Sequence, residues 1–121
     1  MRLLLIAVLI LAANSVRAEW VKVAESSDAD YFSDPATIRK NGDLRRIWEV
    51  ENMKVPKEFV SARALQEYDC QEGAVRRLAY SDFSGRMATG TVLYSSDRPG
   101  PKRYVAPGSV NHALFTFACA Q

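Results

Sequence analysis

The chain has 121 residues, with 16 lysines and arginines against 14 acidic residues, two cysteines and a single histidine. That length leaves room for one domain with a modest core and excludes a second. The near balance of charge excludes the global positive field that drives non-specific binding to nucleic acid, so any such binding would need a local patch.

The first stretch, MRLLLIAVLILAANSVRA, places Arg2 ahead of an unbroken apolar run from Leu3 to Ala13, with Val16 and Ala18 at small-residue cleavage spacing. This is the pattern of a secretory signal peptide over residues 1–18, since a membrane span needs roughly 20 apolar residues. Removing it takes away Arg2 and Arg17 and leaves 103 residues, 19–121, with 14 basic and 14 acidic side chains. The expected mature protein is a neutral, single exported domain without a transmembrane segment.

Export bears on Cys70 and Cys119, because an oxidising compartment turns an isolated pair into a disulfide. The alternatives are a metal pair or a redox site. Two cysteines and His112 make a poor set of structural metal ligands, and the sequence has no C-x-x-C. A structural disulfide is the expected reading.

After the cleavage site, EWVKVA (19–24) reads as a strand, broken by ESSDAD. Tyr31 and Phe32 begin a short second run that ends at Asp34-Pro35, PATIRK has room for one helical turn, and Asn41-Gly42 is a hairpin signal. The clearest strand is 44–53, LRRIWEVENM. Its alternation puts Leu44, Arg46, Trp48 and Val50 on one face, expected to be inward, and Arg45, Ile47, Glu49 and Glu51 on the other, expected to be wet. Further strands are expected over 60–70, 74–83 and 89–94, with Ala62, Ala64, Gln66, Tyr68 and Cys70 sharing a face of the first of these. A proline and glycine loop, DRPGPKR (97–103), precedes a short extended piece at 104–106.

Pro107-Gly108 then breaks the chain and Ser109 is placed to cap a helix running to the C-terminus. Val110, Leu114 and Phe117 share one stripe of that helix, with Phe115 and Cys119 nearly opposite, and no residue from Val110 to Gln121 is charged. Such a helix is either buried on two sides or offers one apolar stripe to a partner, which suggests a homodimer through the C-terminal helix. The expected architecture is therefore α+β: an antiparallel meander of about six strands, with the helix tethered to it by Cys70–Cys119.

No catalytic constellation emerges. Glu49 and Glu51 sit two apart on one strand face, a spacing of roughly 7 Å that glycosidase carboxylates use. On the expected wet face nothing would raise either pKa, so no catalytic role is assigned. GRMATG (85–90) has the outer glycines of a phosphate loop but lacks its lysine and the following helix. Ser109 is explained by capping and His112 has no histidine companion. No catalytic, cofactor or metal residues are expected, and the chain is read as a non-enzyme with no cofactor. For binding, Arg46 is expected to stack on Trp48, and Arg98, Lys102 and Arg103 form the one local basic cluster of note. These five residues are the candidate binding surface.

The ordered set Tyr31, Asp34, Ile38, Gly42, Arg46, Trp48, Ser61-Ala62 and Glu67-Tyr68-Asp69-Cys70, continuing through Ser84-Gly85, Met87, Gly90, Pro107-Gly108-Ser109, Leu114 and Cys119, resembles the surface-adhesin protein E family. E-Y-D-C and the ending from P-G-S to Cys119 are its most specific parts. Tyr104 departs from the tryptophan that the family pattern leads one to expect. The resemblance implies a Gram-negative envelope protein, in the periplasm or at the outer-membrane surface, with a sheet and a disulfide-tethered helix. It also implies adhesion to host extracellular-matrix proteins such as vitronectin or laminin. The alternative is a small periplasmic binding or inhibitor module with no adhesive role.

Overall fold

The computed structural model describes residues 18–121. The signal segment assigned to 1–18 thus lies, but for Ala18, outside the described residues. The chain order is β1 (Val21–Glu25), β2 (Ala29–Ser33), a 3-10 turn (Pro35–Thr37), β3 (Arg39–Asn41), β4 (Leu44–Met53), β5 (Ser61–Asp69), β6 (Ala74–Phe83), β7 (Val92–Ser96), β8 (Arg103–Tyr104) and α1 (Val110–Cys119). The strands form one antiparallel sheet in the order β1-β2-β4-β5-β6-β7. β3 continues the β2 edge along β4, and β8 pairs with β6 beyond β7. The expected α+β meander with a C-terminal helix is the fold observed.

Local chemistry explains the punctuation. The Ser26 hydroxyl accepts hydrogen bonds from the Asp28 and Ala29 amides and turns β1 into β2. Asp34 caps the 3-10 turn by accepting from the Ala36 amide at 3.0 Å. The turn expected within PATIRK is confined to Pro35–Thr37, because Arg39–Asn41 is drawn into pairing with β4. Gly42, at φ 57°, occupies the left-handed conformation that closes the β3–β4 hairpin. Ser109 caps α1 as expected, accepting from the His112 amide at 3.1 Å while its hydroxyl donates to the Ala106 carbonyl.

α1 lies on one face of the sheet, where Leu114 and Ala118 close over Ile47, Tyr68 and Val75. Phe115 meets Tyr68 edge-on with ring centroids 6.1 Å apart. The Cys70–Cys119 disulfide ties the end of the helix to the end of β5, with Cα atoms 5.7 Å apart. Val110, Phe115, Phe117 and Cys119 also pack against this cluster, so both apolar stripes of the helix are engaged. The exposed stripe carries Asn111, His112, Thr116 and Ala120.

The assignment of faces on β4 is the main correction. Ile47, fully buried, and Glu49, 6% exposed, lie under the helix, whereas Leu44, Arg46, Trp48 and Val50 lie on the opposite face, where Val50 alone of the four is buried as expected. The cause is register: Arg45 pairs with Tyr68, which groups the odd residues of β4 with the even residues of β5 that lead to Cys70. The face without the helix is closed at one end by the β6–β7 loop. There Asn52 accepts from the Met87 amide at 2.8 Å, and the Ser61 hydroxyl accepts from the Ala88 amide at 2.9 Å. These bonds hold Met87 and Ala88 at φ 55° and 56°, a conformation L-residues rarely adopt.

Candidate functional site

On the helix side the register builds two rows across four strands. One row runs Ser33, Glu49, Ala64, Tyr80 and the next Tyr31, Glu51, Ala62, Asp82. Each row places an alanine beside a carboxyl group, so no large neighbour from β5 covers Glu49 or Glu51. The space left is a cleft of about 390 Å³ over Ala62 and Ala64, bordered by Tyr31, Phe59 and Tyr80 and reached by Asn111 and Leu114 of α1.

Its electrostatics are unlike those expected for a wet strand face. Burial pushes Glu49 up to about 8, against the hydrogen bonds of Tyr68 and Gln66, which lower it. Glu49 is therefore mostly protonated near neutrality, correcting the expectation that nothing would raise its pKa. Burial also raises Glu51, helped by Asp82 and opposed by Arg77, and it raises Asp82 as well. Among the described residues Arg77 is the one cation lining this cleft, with its guanidinium carbon 3.8 Å from the Tyr80 ring centroid. Among the described residues no three acidic, histidine or cysteine side chains converge as metal ligands would.

The sequence-derived binding residues are scattered. Arg46 does not stack on Trp48. Its Nε donates to Glu67 at 2.8 Å, and Arg76 takes the other Glu67 oxygen at 2.9 Å. The cation over Trp48 is Arg63, which lies 5.3 Å from the indole and 5.3 Å from the Phe83 ring. Arg63 follows from the pairing of β5 with β4 and β6, which the sequence alone did not supply. Lys102 pairs with Glu72 and lies 5.9 Å from the Tyr104 ring. Arg103, on β8, lines a small recess with Arg77 and Gln66, and Arg98 is exposed in the preceding loop. The basic cluster is thus divided between an ion pair, a recess and solvent.

A family profile described as surface-adhesin protein E matches residues 20–120. The chain belongs to that family. Its fold is that of protein E from Haemophilus influenzae. One crystal form of that protein aligns with a TM-score of 0.68 at 14% identity, covering 88% of this chain and 91% of that one. A second structure gives 0.64 at 13% identity over 88% and 87%. A selenomethionine form gives 0.67 at 14% identity over 88% and 89%. No curated protein matches by sequence. Family membership thus covers the sheet, the helix and both cysteines. At such low identity the structural likeness speaks to the fold alone.

Among the described residues, no helix is long and apolar enough to cross a membrane.

Proposed function

We propose that this family member is an exported, non-catalytic binding protein of the Gram-negative envelope that acts as an adhesin toward host extracellular-matrix proteins, with vitronectin and laminin as first candidates. The observation that carries this reading is the family match along residues 20–120. Ser109 agrees with the non-catalytic part of it, because its hydroxyl is committed to the cap of α1. Arg46, Trp48, Arg98, Lys102 and Arg103 are kept as the proposed contact residues, scattered as they are. Dimerisation through α1 would use its Asn111, His112 and Thr116 stripe, which is polar.

The test has two stages. Protease treatment of intact source cells, with a periplasmic protein as control, should digest the chain at the surface, and the purified protein should bind immobilised vitronectin or laminin saturably. Digestion only after the outer membrane is opened would overturn the adhesive reading. The periplasmic alternative is favoured by one observation: the cleft holding Glu49 is a recess suited to a small group, not a flat contact surface.

A further inference from the structure

The face of the sheet that α1 leaves open carries a row of charge across four strands. Register sets Arg39 of β3 beside Arg46 of β4, Arg46 beside Glu67 of β5, and Glu67 beside Arg76 of β6. One carboxylate therefore serves two guanidinium groups, accepting from Nε of Arg46 at 2.8 Å and from Nε of Arg76 at 2.9 Å. The Glu67 side chain is 7% exposed, whereas those of Arg46 and Arg76 are 53% and 41% exposed. Both arginines are thus anchored through Nε alone, and among the described residues no acceptor meets their outer Nη groups.

A second observation is independent of that bridge. The β3–β4 hairpin sets like charge against like twice in succession, Arg39 opposite Arg46 and Lys40 opposite Arg45. Like charges directly across a strand pair are destabilising, and among the described residues Arg39 and Lys40 form no ion pair. The hairpin gains from an external anion what its own sequence does not supply. Two shallow hollows follow the row, one of about 230 Å³ against Arg39, Lys40 and Arg46, the next of about 260 Å³ against Asp69, Arg76 and Lys102. Leu44 and Glu67 line both, so the two form one groove.

What such a groove recognises follows from its lining. It crosses the interior of the sheet, where β4 and β5 are paired on both sides, so a peptide backbone finds no free ladder to join. Among the described residues no aromatic ring lines it, so a nucleic-acid base has nothing to stack on. Its guanidinium groups instead present paired N–H donors, which suit the oxygens of sulfate and carboxylate.

We propose that this groove binds a linear sulfated polysaccharide, its chain running from β3 to β6 with one sulfate between Arg39 and Arg46 and another on Arg76, while Glu67 holds the two inner arginines in place. Lys102, paired with Glu72, closes the far end. This assignment goes beyond adhesion to matrix proteins and does not rest on it, because the ligand is of a different class.

The test is calorimetric titration of the oxidised protein with a heparin-derived hexasaccharide, repeated at rising salt. Its controls are the same hexasaccharide stripped of sulfate, and hexaglutamate. The sulfated probe should bind saturably, and each control at least about tenfold more weakly. Arg39→Gln and Arg76→Gln should each weaken the sulfated probe about tenfold and lower the slope of log affinity against log salt by about one. Lys57→Gln, in the exposed β4–β5 loop, should bind as the parent does. Thermal melting of each variant reports whether it is folded, and Arg39→Gln, which breaks no ion pair, serves if Arg76→Gln is not. No binding of the sulfated probe, equal binding of the desulfated one, or unchanged affinity in a folded groove variant would each overturn the proposal. Equal binding of hexaglutamate would overturn it too, in favour of an acidic segment of a partner protein. Binding to vitronectin or laminin is read separately, so failure of either reading leaves the other standing.

Discussion

The Tyr68 hydroxyl donates a 2.5 Å hydrogen bond to Oε2 of Glu49, joining β5 to β4 directly beneath α1. Both groups are buried, and burial followed by the Glu49 charge pushes the Tyr68 phenol far above its ordinary range, so it remains a donor at every pH the fold survives. Glu49 is the partner that titrates.

Stability should therefore fall as pH rises through neutrality. The folded-state value of Glu49, about 8, lies above the ordinary 4.5. Its contribution is full below the unfolded value and is lost as pH climbs toward the folded one, by up to about 1.4 kcal/mol per pH unit. Glu49→Gln, which retains an acceptor for Tyr68, should flatten this slope between pH 5 and 8 in urea melts. An unchanged slope would mean that Glu49 is ionised in the fold.

Glu67 should set the acid limit. Burial alone would raise it, but hydrogen bonds from Arg46 and Arg76 prevail and hold it below its ordinary value. Stability from this bridge is present above the unfolded carboxyl value and lost as pH falls below it. Glu67→Gln should therefore reduce the loss of melting temperature on acidification. A parallel acid limb in the variant would rule this out.

The disulfide joins positions 49 apart, a closure worth about 4 kcal/mol in the chain-entropy model. Cys70→Ser and Cys119→Ser should destabilise alike, and the double variant should be no worse than either. Additive losses would show that the sulfurs act separately.

The β6–β7 loop is held by Asn52 and Ser61 against its own backbone preference. Asn52→Ala should cost about 1–3 kcal/mol, by leaving the part-buried Met87 amide unpaired. Ala88→Gly should stabilise by about 1 kcal/mol, since glycine accepts the left-handed conformation. Chemical denaturation reads both, and a destabilised Ala88→Gly would contradict the strain assigned there.

Trp48 reports which arginine it meets. Arg63→Ala should change its fluorescence and cost about 1 kcal/mol, whereas Arg46→Ala should leave the emission unchanged, because that guanidinium is held by Glu67. The opposite pattern would restore the Arg46 stacking expected from the sequence.

Local chemistry was legible in the residues themselves. The bounds of β4 and β6, the Ser109 cap and the Cys70–Cys119 pair all follow from neighbours within a few positions or from the count of cysteines. Family membership was legible too, in motifs such as E-Y-D-C that survive where overall identity to solved structures is low. Which face of β4 goes inward was not. Each face mixes apolar with charged residues, so alternation leaves two answers, and only the pairing of Arg45 with Tyr68 selects between them. That register turned Glu49 from an expected surface carboxylate into a buried one, and set Arg63 in the place expected for Arg46. It also lined up alanines beside carboxyl groups to open the cleft. A strand carries its own alternation in sequence, but its partner and offset come from contacts between distant residues, and those exist only once the sheet has formed.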